Sequence, residues 1–171
     1  RDGGCLREML VIAAALSAQD PRERPLDAQQ AADQQHRRFA DEKSDFVAFV
    51  KLWDYWQRAQ ADKESNRRLQ ARLEREFLSP RRLREWADVH GQLADAVAEL
   101  HWKANAEPAS YEALHQALLT GMLGNLGFNA VDEPHYQGTH QTKFFIHPGS
   151  ALAKKAPRWL MAAELVDTGR L

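Results

Sequence analysis

The chain has 171 residues, 44% of them hydrophobic and 27% charged, with five tryptophans and a formal net charge of −1. That length suits one sizeable domain, or a domain with part of a second, and the composition excludes disorder in favour of a packed core. A near-neutral balance also excludes a global field for nucleic acid or membrane, so any such binding depends on a local patch.

The first predicted helix covers about 4–17, where Leu6, Met9, Leu10, Ala13 and Leu16 form one stripe. Val11, Ile12 and Ala14 make the other side apolar too, the pattern of a helix buried nearly all round. Its run MLVIAAALSA is too short to span a bilayer. Asp2 and Glu8 before it, with QDPRERP after it, exclude a signal-peptide core. Cys5 is the single cysteine. It excludes an internal disulfide, fits a reducing cytoplasmic compartment, and reads best as a small buried residue. Pro21 and Pro25 then break the chain. Asp27 with Gln30 resembles a capping box that opens a short polar helix reaching Phe39.

Ser44 is a predicted N-cap, with Asp45 in the favourable first turn. Phe46, Phe49, Val50, Trp53 and Trp56 follow at helical spacing as a core stripe. After the polar break ADKESN, Leu69, Leu73 and Phe77 mark a further helix at i, i+4 and i+8. The stretch FLSPRRLREWADVHGQL opens the next one, with Ser79 as N-cap and Pro80 at the first helical position. Leu83, Trp86, Val89 or His90, Leu93, Val97 and Leu100 carry its apolar seam until HWKANAEPAS. Tyr111, Leu114, Leu118, Met122 and Leu126 predict one more helix, stopped near Gly127.

Beyond residue 128 the character changes. Thr142, Phe144 and Ile146 alternate with Lys143, Phe145 and His147, a strand pattern. The segment RWLMAAELVDT at 158–168 has helical propensity in sheet-like surroundings, which leaves it ambiguous. The expected architecture is mainly α: a multi-helix bundle over 1–128, then a short β-rich module over 129–171. Arg1 in place of Met, and an end at DTGRL without a turn signal, suggest a piece of something longer.

No phosphate-binding loop, dinucleotide fingerprint, nucleophile elbow or zincin motif occurs, so no self-sufficient catalytic constellation assembles. The glycines of TGMLGNLG are read as packing glycines. His135, His140 and His147 match no zinc spacing, and ordinary surface histidines are the default.

Two features stand above this background. From Tyr136 to Ala163 there is no Asp or Glu, while Lys143, Lys154, Lys155 and Arg158 alternate with Tyr136, Phe144, Phe145 and Trp159. Cations with aromatics on a small β-module suit phosphate neutralisation and base stacking. The bland alternative makes the aromatics core and the lysines solubilising. The second feature is Arg81, Arg82 and Arg84 at a helix N-terminus, an end already positive from its free N–H groups. They suit an anion such as phosphate; alternatively Glu74, Glu76 or Glu85 pair with them on the surface.

The strings CLREMLVIAAALSAQDPRERP, RRFADEKSDFVAFVKLWDYW and FLSPRRLREWADVHGQL resemble successive blocks of bacterial DEAH-box RNA helicases of the HrpA type. FFIHPGSAL and RWLMAAELVDTGRL look like the start of that family's C-terminal OB-fold. The resemblance implies a ratchet-like helical bundle followed by a truncated OB-fold, with 158–168 as a strand. It implies an accessory segment that contacts single-stranded RNA while RecA-like lobes elsewhere hydrolyse ATP with Mg. No catalytic residue, cofactor or metal is then expected in this segment. Its partners would be single-stranded RNA and the family's RecA-like and winged-helix domains, in the cytoplasm and with no membrane. The candidate RNA contacts are Arg81, Arg82 and Arg84 in the bundle, and Lys143, His147, Ser150, Lys154 and Lys155 in the β-module. The rival reading is a stand-alone helical protein-interaction module without catalytic activity.

Overall fold

A computed structural model describes residues 4–62, 64–130 and 133–167 of the chain. The end of the DTGRL stretch, at 168–171, lies outside the described residues. The chain divides into two compact units, Arg1–Ala109 and Ser110–Leu171. The division by packing therefore falls ahead of the composition change near residue 128, and the helix that follows Ser110 clusters with the strands.

The first unit is helical, with α1 at Leu6–Ser17, α2 at Gln29–His36, α3 at Asp45–Ala61, α4 at Asn66–Arg75 and α5 at Pro80–Glu99. Helix α1 packs on both α3 and α5, and α4 packs on α5. Ala14 and Ala15 are buried on α1, so the neighbouring helices approach it closely. The core joins Val11 of α1, Leu52 and Trp56 of α3, Leu73 of α4, and Leu83 and Trp86 of α5. Trp86 is fully buried, and its indole N–H donates to the Val11 carbonyl at 3.1 Å, so no polar group is left unpaired there.

The caps explain where the helices begin. Ser44 accepts from the Val47 N–H at 3.3 Å, and Ser79 accepts from the Arg82 N–H at 3.3 Å with Pro80 opening α5. The expected Asp27 capping box does not form: α2 starts at Gln29 behind Ala28, without a side-chain cap. Phe77 also leaves the helix predicted for it. Its φ is 55°, while the Phe77 N–H donates to Glu74 and the Leu78 N–H donates to Leu73. That is a Schellman termination with phenylalanine where glycine is usual. The Phe77 carbonyl is held from outside by the Glu23 N–H at 2.8 Å and by His36 Nε2 at 3.0 Å. These tertiary bonds offset the left-handed strain of a residue with a side chain.

The second unit opens with α6 at Tyr111–Gly121, capped by Ser110. Four strands follow: β1 at Leu126–Phe128, β2 at Tyr136–Gln137, β3 at Lys143–Phe144 and β4 at Trp159–Met161. They form one antiparallel sheet in the order β3-β2-β1-β4. Helix α6 thus ends earlier than its leucine spacing predicts, because Leu126 pairs with Met161 across strands. The same pairing makes Trp159–Met161, three residues of the ambiguous 158–168 segment, a strand against their helical propensity, while residues 162–167 lie outside it. The strand expected around 142–147 is paired only at Lys143–Phe144, after which the chain enters a turn. The architecture is mainly α with a small β-module. No helix among the described residues is long and apolar enough to cross a membrane.

Candidate nucleic-acid interface

In the first unit, the three arginines at the α5 N-terminus have three different environments. Arg81 is exposed and pairs with Glu85 one turn on, at 3.6 Å. Arg82 turns back across the chain and donates from Nη1 to the Asp20 carbonyl at 3.2 Å. That contact fastens α5 to the 20–23 segment, which is also bound through Ser79 N–H to the Pro21 carbonyl and an antiparallel bridge between Arg22 and Leu78. Arg84 is exposed, and among the described residues its guanidinium has no partner. Of the surface-pairing alternatives, Glu85 engages Arg81. Glu76 instead binds Arg38 at 2.8 Å and accepts from the Tyr55 hydroxyl at 2.6 Å, and Glu74 accepts from Gln70. One arginine therefore acts in the fold, one lies in a weak exposed pair, and one points to solvent.

In the second unit, register sorts the aromatics onto two faces. Residues opposite one another across antiparallel strands lie on the same face, and neighbours along a strand on opposite faces. Tyr136 pairs with Phe144, and their rings stack at 5.9 Å. Tyr136 is 2% exposed and its hydroxyl donates to the Pro157 carbonyl; burial pushes this phenol up. Tyr136 is core, as the bland alternative holds, and Phe144 packs half-buried against it. Trp159 and Phe145 are not core: they are 65% and 67% exposed.

The opposite face carries a row that runs Lys143, Gln137, Phe128 and Trp159 across all four strands. Phe128 and Trp159 touch with ring centroids 4.7 Å apart, and the Arg158 guanidinium lies 5.4 Å from the Phe128 centroid. Lys143 and Gln137 are exposed. Phe128 belongs to this row but was missing from the sequence-derived candidates. Its signal was present in Leu126 and Phe128 alternating about Gly127, masked by the leucine periodicity running into it.

The remaining candidates sit in the turn after β3. His147 Nδ1 accepts from the Gly149 N–H at 3.0 Å, which leaves Nε2 as the protonated nitrogen of a neutral ring. Ser150 caps the 3-10 turn Ala151–Lys154 by accepting from the Leu152 N–H at 3.2 Å, so its side chain has a local structural task. Lys154 and Lys155 project from that turn and are exposed. Lys143, His147, Lys154, Lys155 and Arg158 therefore face solvent on a segment without acids. Among the described residues no group of three His, Cys, Asp or Glu side chains converges as a metal site. Cys5 is buried, and burial, then the nearby Glu8 carboxylate, pushes its thiol up, away from a reactive thiolate.

Comparison with known proteins supplies the context for these surfaces. Residues 1–49 match the ratchet-like helicase associated domain (HA2) family, and residues 114–171 match the oligonucleotide/oligosaccharide-binding (OB)-fold family. The chain is 50% identical over 170 residues to the ATP-dependent RNA helicase HrpA of Escherichia coli K12, covering 98% of this chain and 13% of that protein. It is 46% identical over 168 residues to the HrpA homologue of Haemophilus influenzae, again 98% of this chain and 13% of the relative. A more distant similarity, 27% over 168 residues, links it to the pre-mRNA-splicing factor ATP-dependent RNA helicase prp22 of Schizosaccharomyces pombe, with 98% of this chain and 14% of the relative covered. The chain thus spans only about an eighth to a seventh of the length of these relatives.

Proposed function

We propose an RNA-gripping role for this chain, which belongs to the DEAH-box RNA helicases of the HrpA type as their ratchet-like helicase-associated segment with OB-fold strands. The observation that carries the proposal is the acid-free stretch from Tyr136 to Ala163, whose Lys143, Lys154, Lys155 and Arg158 are all exposed. Four solvent-facing cations without a neighbouring carboxylate in sequence form a local positive patch on a chain of net charge −1. Such a patch binds a phosphate backbone by releasing its counterions, without reading sequence.

The chain's own residues bind and orient the strand; they supply no chemistry to it. ATP hydrolysis belongs, in this reading, to RecA-like lobes that the family resemblance implies, with the winged-helix domain as a further partner in the same cytoplasmic protein. Arg84, and Arg81 once released from Glu85, would add phosphate contacts from the bundle. Arg82 contributes by holding α5 in place.

Fluorescence anisotropy of a labelled single-stranded RNA against the 171-residue chain tests this reading. Affinity is expected to fall linearly with salt on logarithmic axes, by about 0.7 in slope per phosphate neutralised. Replacing Lys143, Lys154 and Lys155 by Ala should flatten the slope. A protein-docking role is favoured by one separate observation, the exposed Leu100 and Trp102 at the end of α5. Salt-insensitive association with a protein and no RNA binding would select it instead.

A further inference from the structure

Helix α5 ends at Glu99 and the second unit begins at Ser110; the residues between them are held to the bundle by polar contacts. No residue from 101 to 109 is buried, and only Asn105 and Ala109 are half-buried. Among the described residues, 103–109 make no backbone–backbone hydrogen bond. Their hydrogen bonds to the bundle all go to the first turn of α1. Asn105 accepts from the Arg7 N–H at 2.9 Å and donates from Nδ2 to Glu8 Oε2 at 2.9 Å. The Ala109 N–H donates to Glu8 Oε1 at 3.1 Å. Asn105 Nδ2 also donates to the Glu107 carbonyl at 2.8 Å, which bends the segment between its two points of attachment. The two residues withdrawn from water are thus the two that bond to Glu8, itself 3% exposed.

A hold of that kind releases differently from an apolar one. Water entering behind the departing segment replaces Asn105 and Ala109 as donors to the carboxylate, so opening exchanges hydrogen bonds and exposes no core. Segments with few buried apolar contacts are those that open locally while the rest of a fold stays intact. We propose that residues 103–109 form a strap that opens and closes on the bundle as one piece, with Glu8 as its catch. A carboxylate suits the task because it offers one oxygen to Asn105 and the other to Ala109, where a neutral amide has a single acceptor. Closed, the strap fixes the point at which the chain leaves the bundle. Open, it becomes a seven-residue tether ahead of Ser110, up to about 25 Å long when extended. The device belongs to the chain's own fold and does not depend on the RNA-gripping reading.

The test is native-state hydrogen exchange of the 171-residue chain, followed by NMR at increasing urea below the unfolding transition. The Ala109 N–H should exchange through an opening that urea barely affects. The Leu52 N–H, in the buried middle of α3, should exchange more slowly and respond steeply to urea, because it waits for the bundle to unfold. Asn105→Ala should speed Ala109 exchange about 5- to 150-fold, the loss of one hydrogen bond to a buried charge. Asn105→Asp keeps an acceptor for the Arg7 N–H but sets a second carboxylate against Glu8. It should leave Ala109 close to unprotected while the helical circular dichroism is retained. Ala109 and Leu52 exchanging with the same urea dependence in the wild-type chain would make the strap part of the bundle's cooperative unit, which overturns the proposal. An Ala109 rate that Asn105→Ala leaves unchanged overturns it equally, since Glu8 would then not be the catch.

Discussion

The Phe144 ring occupies the space in which a side chain on Gly127 would stand: a Cβ built there would lie 2.3 Å from Phe144 Cζ. A real Cβ does not approach that closely, and the ring is confined on its other side by Tyr136. Gly127→Ala should therefore destabilise the second unit by about 1–3 kcal/mol, through overpacking. Gly124→Ala is the control, because nothing lies within 4 Å of its Cβ position. Urea unfolding of both variants gives the comparison, and Phe144→Leu added to Gly127→Ala should recover part of the loss. Equal midpoints for the two single variants would dismiss the packing explanation.

A second relationship ties together the two ends of the first unit. Glu8 is 3% exposed, yet its carboxylate accepts from Asn105 Nδ2 at 2.9 Å and from the Ala109 N–H at 3.1 Å. Asn105 also accepts from the Arg7 N–H at 2.9 Å, serving a free donor in the first turn of α1. Burial pushes Glu8 upward, but the bonds from Asn105 and Ala109, with Arg7 beside it, outweigh burial and hold it below the usual carboxylate value. Asn105→Ala should cost about 2 kcal/mol, since it leaves a buried carboxylate short of a donor. Because the folded value is depressed, the Glu8 contribution is complete above the ordinary glutamate range and fades as pH falls through the folded value. Glu8→Gln should flatten that acid limb of an unfolding-versus-pH curve.

Such contacts show where sequence reading stops. Ser44 and Ser79 announced their helices because a cap is a local event, settled by a hydroxyl and an N–H three residues apart. Asn105 and Glu8 are 97 positions apart, and Arg82 and Asp20 are 62 apart, so no window along the chain contains both partners. Residues 158–168 read as helix or strand until Leu126, Gly127 and Phe128 supplied a ladder for Trp159, Leu160 and Met161. The candidate interface divides the same way. Lys143, Arg158 and Trp159 stood out by composition, but only the register shows that Trp159 shares a face with Lys143 and that Tyr136 does not. The three arginines look equivalent in the string RRLR, and the fold makes them unequal.

His36 offers a pH-dependent check on the bundle. Its Nε2 lies 3.1 Å from the Glu76 carbonyl and 3.0 Å from the Phe77 carbonyl, holding the strained turn after α4. Burial lowers its pKa and outweighs the two backbone bonds, which act in the opposite direction. His90, packed on Trp53 at 4.4 Å, is likewise lowered by burial. Both rings are therefore held neutral in the fold, and the unfolded chain binds more protons below the ordinary histidine value of about 6.5. Their stabilisation is complete above that value and is lost as pH falls through the depressed folded values. Urea midpoints should drop between about pH 6.5 and 5, and His90→Gln should reduce the drop. A midpoint independent of pH across that window would refute the assignment.

Arg82 and Arg84 separate folding from binding within one turn of helix. Arg82 donates to the Asp20 carbonyl at 3.2 Å, whereas Arg84 projects from the surface. Arg82→Ala should cost about 1 kcal/mol of stability by removing that bond. Arg84→Ala should leave stability within about 0.5 kcal/mol, as an exposed surface change does. RNA binding should show the reverse order. Arg84→Ala should weaken affinity and lower the logarithmic salt slope by about 0.7, the loss of one phosphate contact to a single strand. Arg82→Ala should keep the wild-type slope, measured at a temperature where the variant is folded. If both variants lower the slope equally and neither unfolds earlier, Arg82 serves the RNA and not the packing of α5. Its contact with Asp20 would then be only the resting position of a mobile side chain.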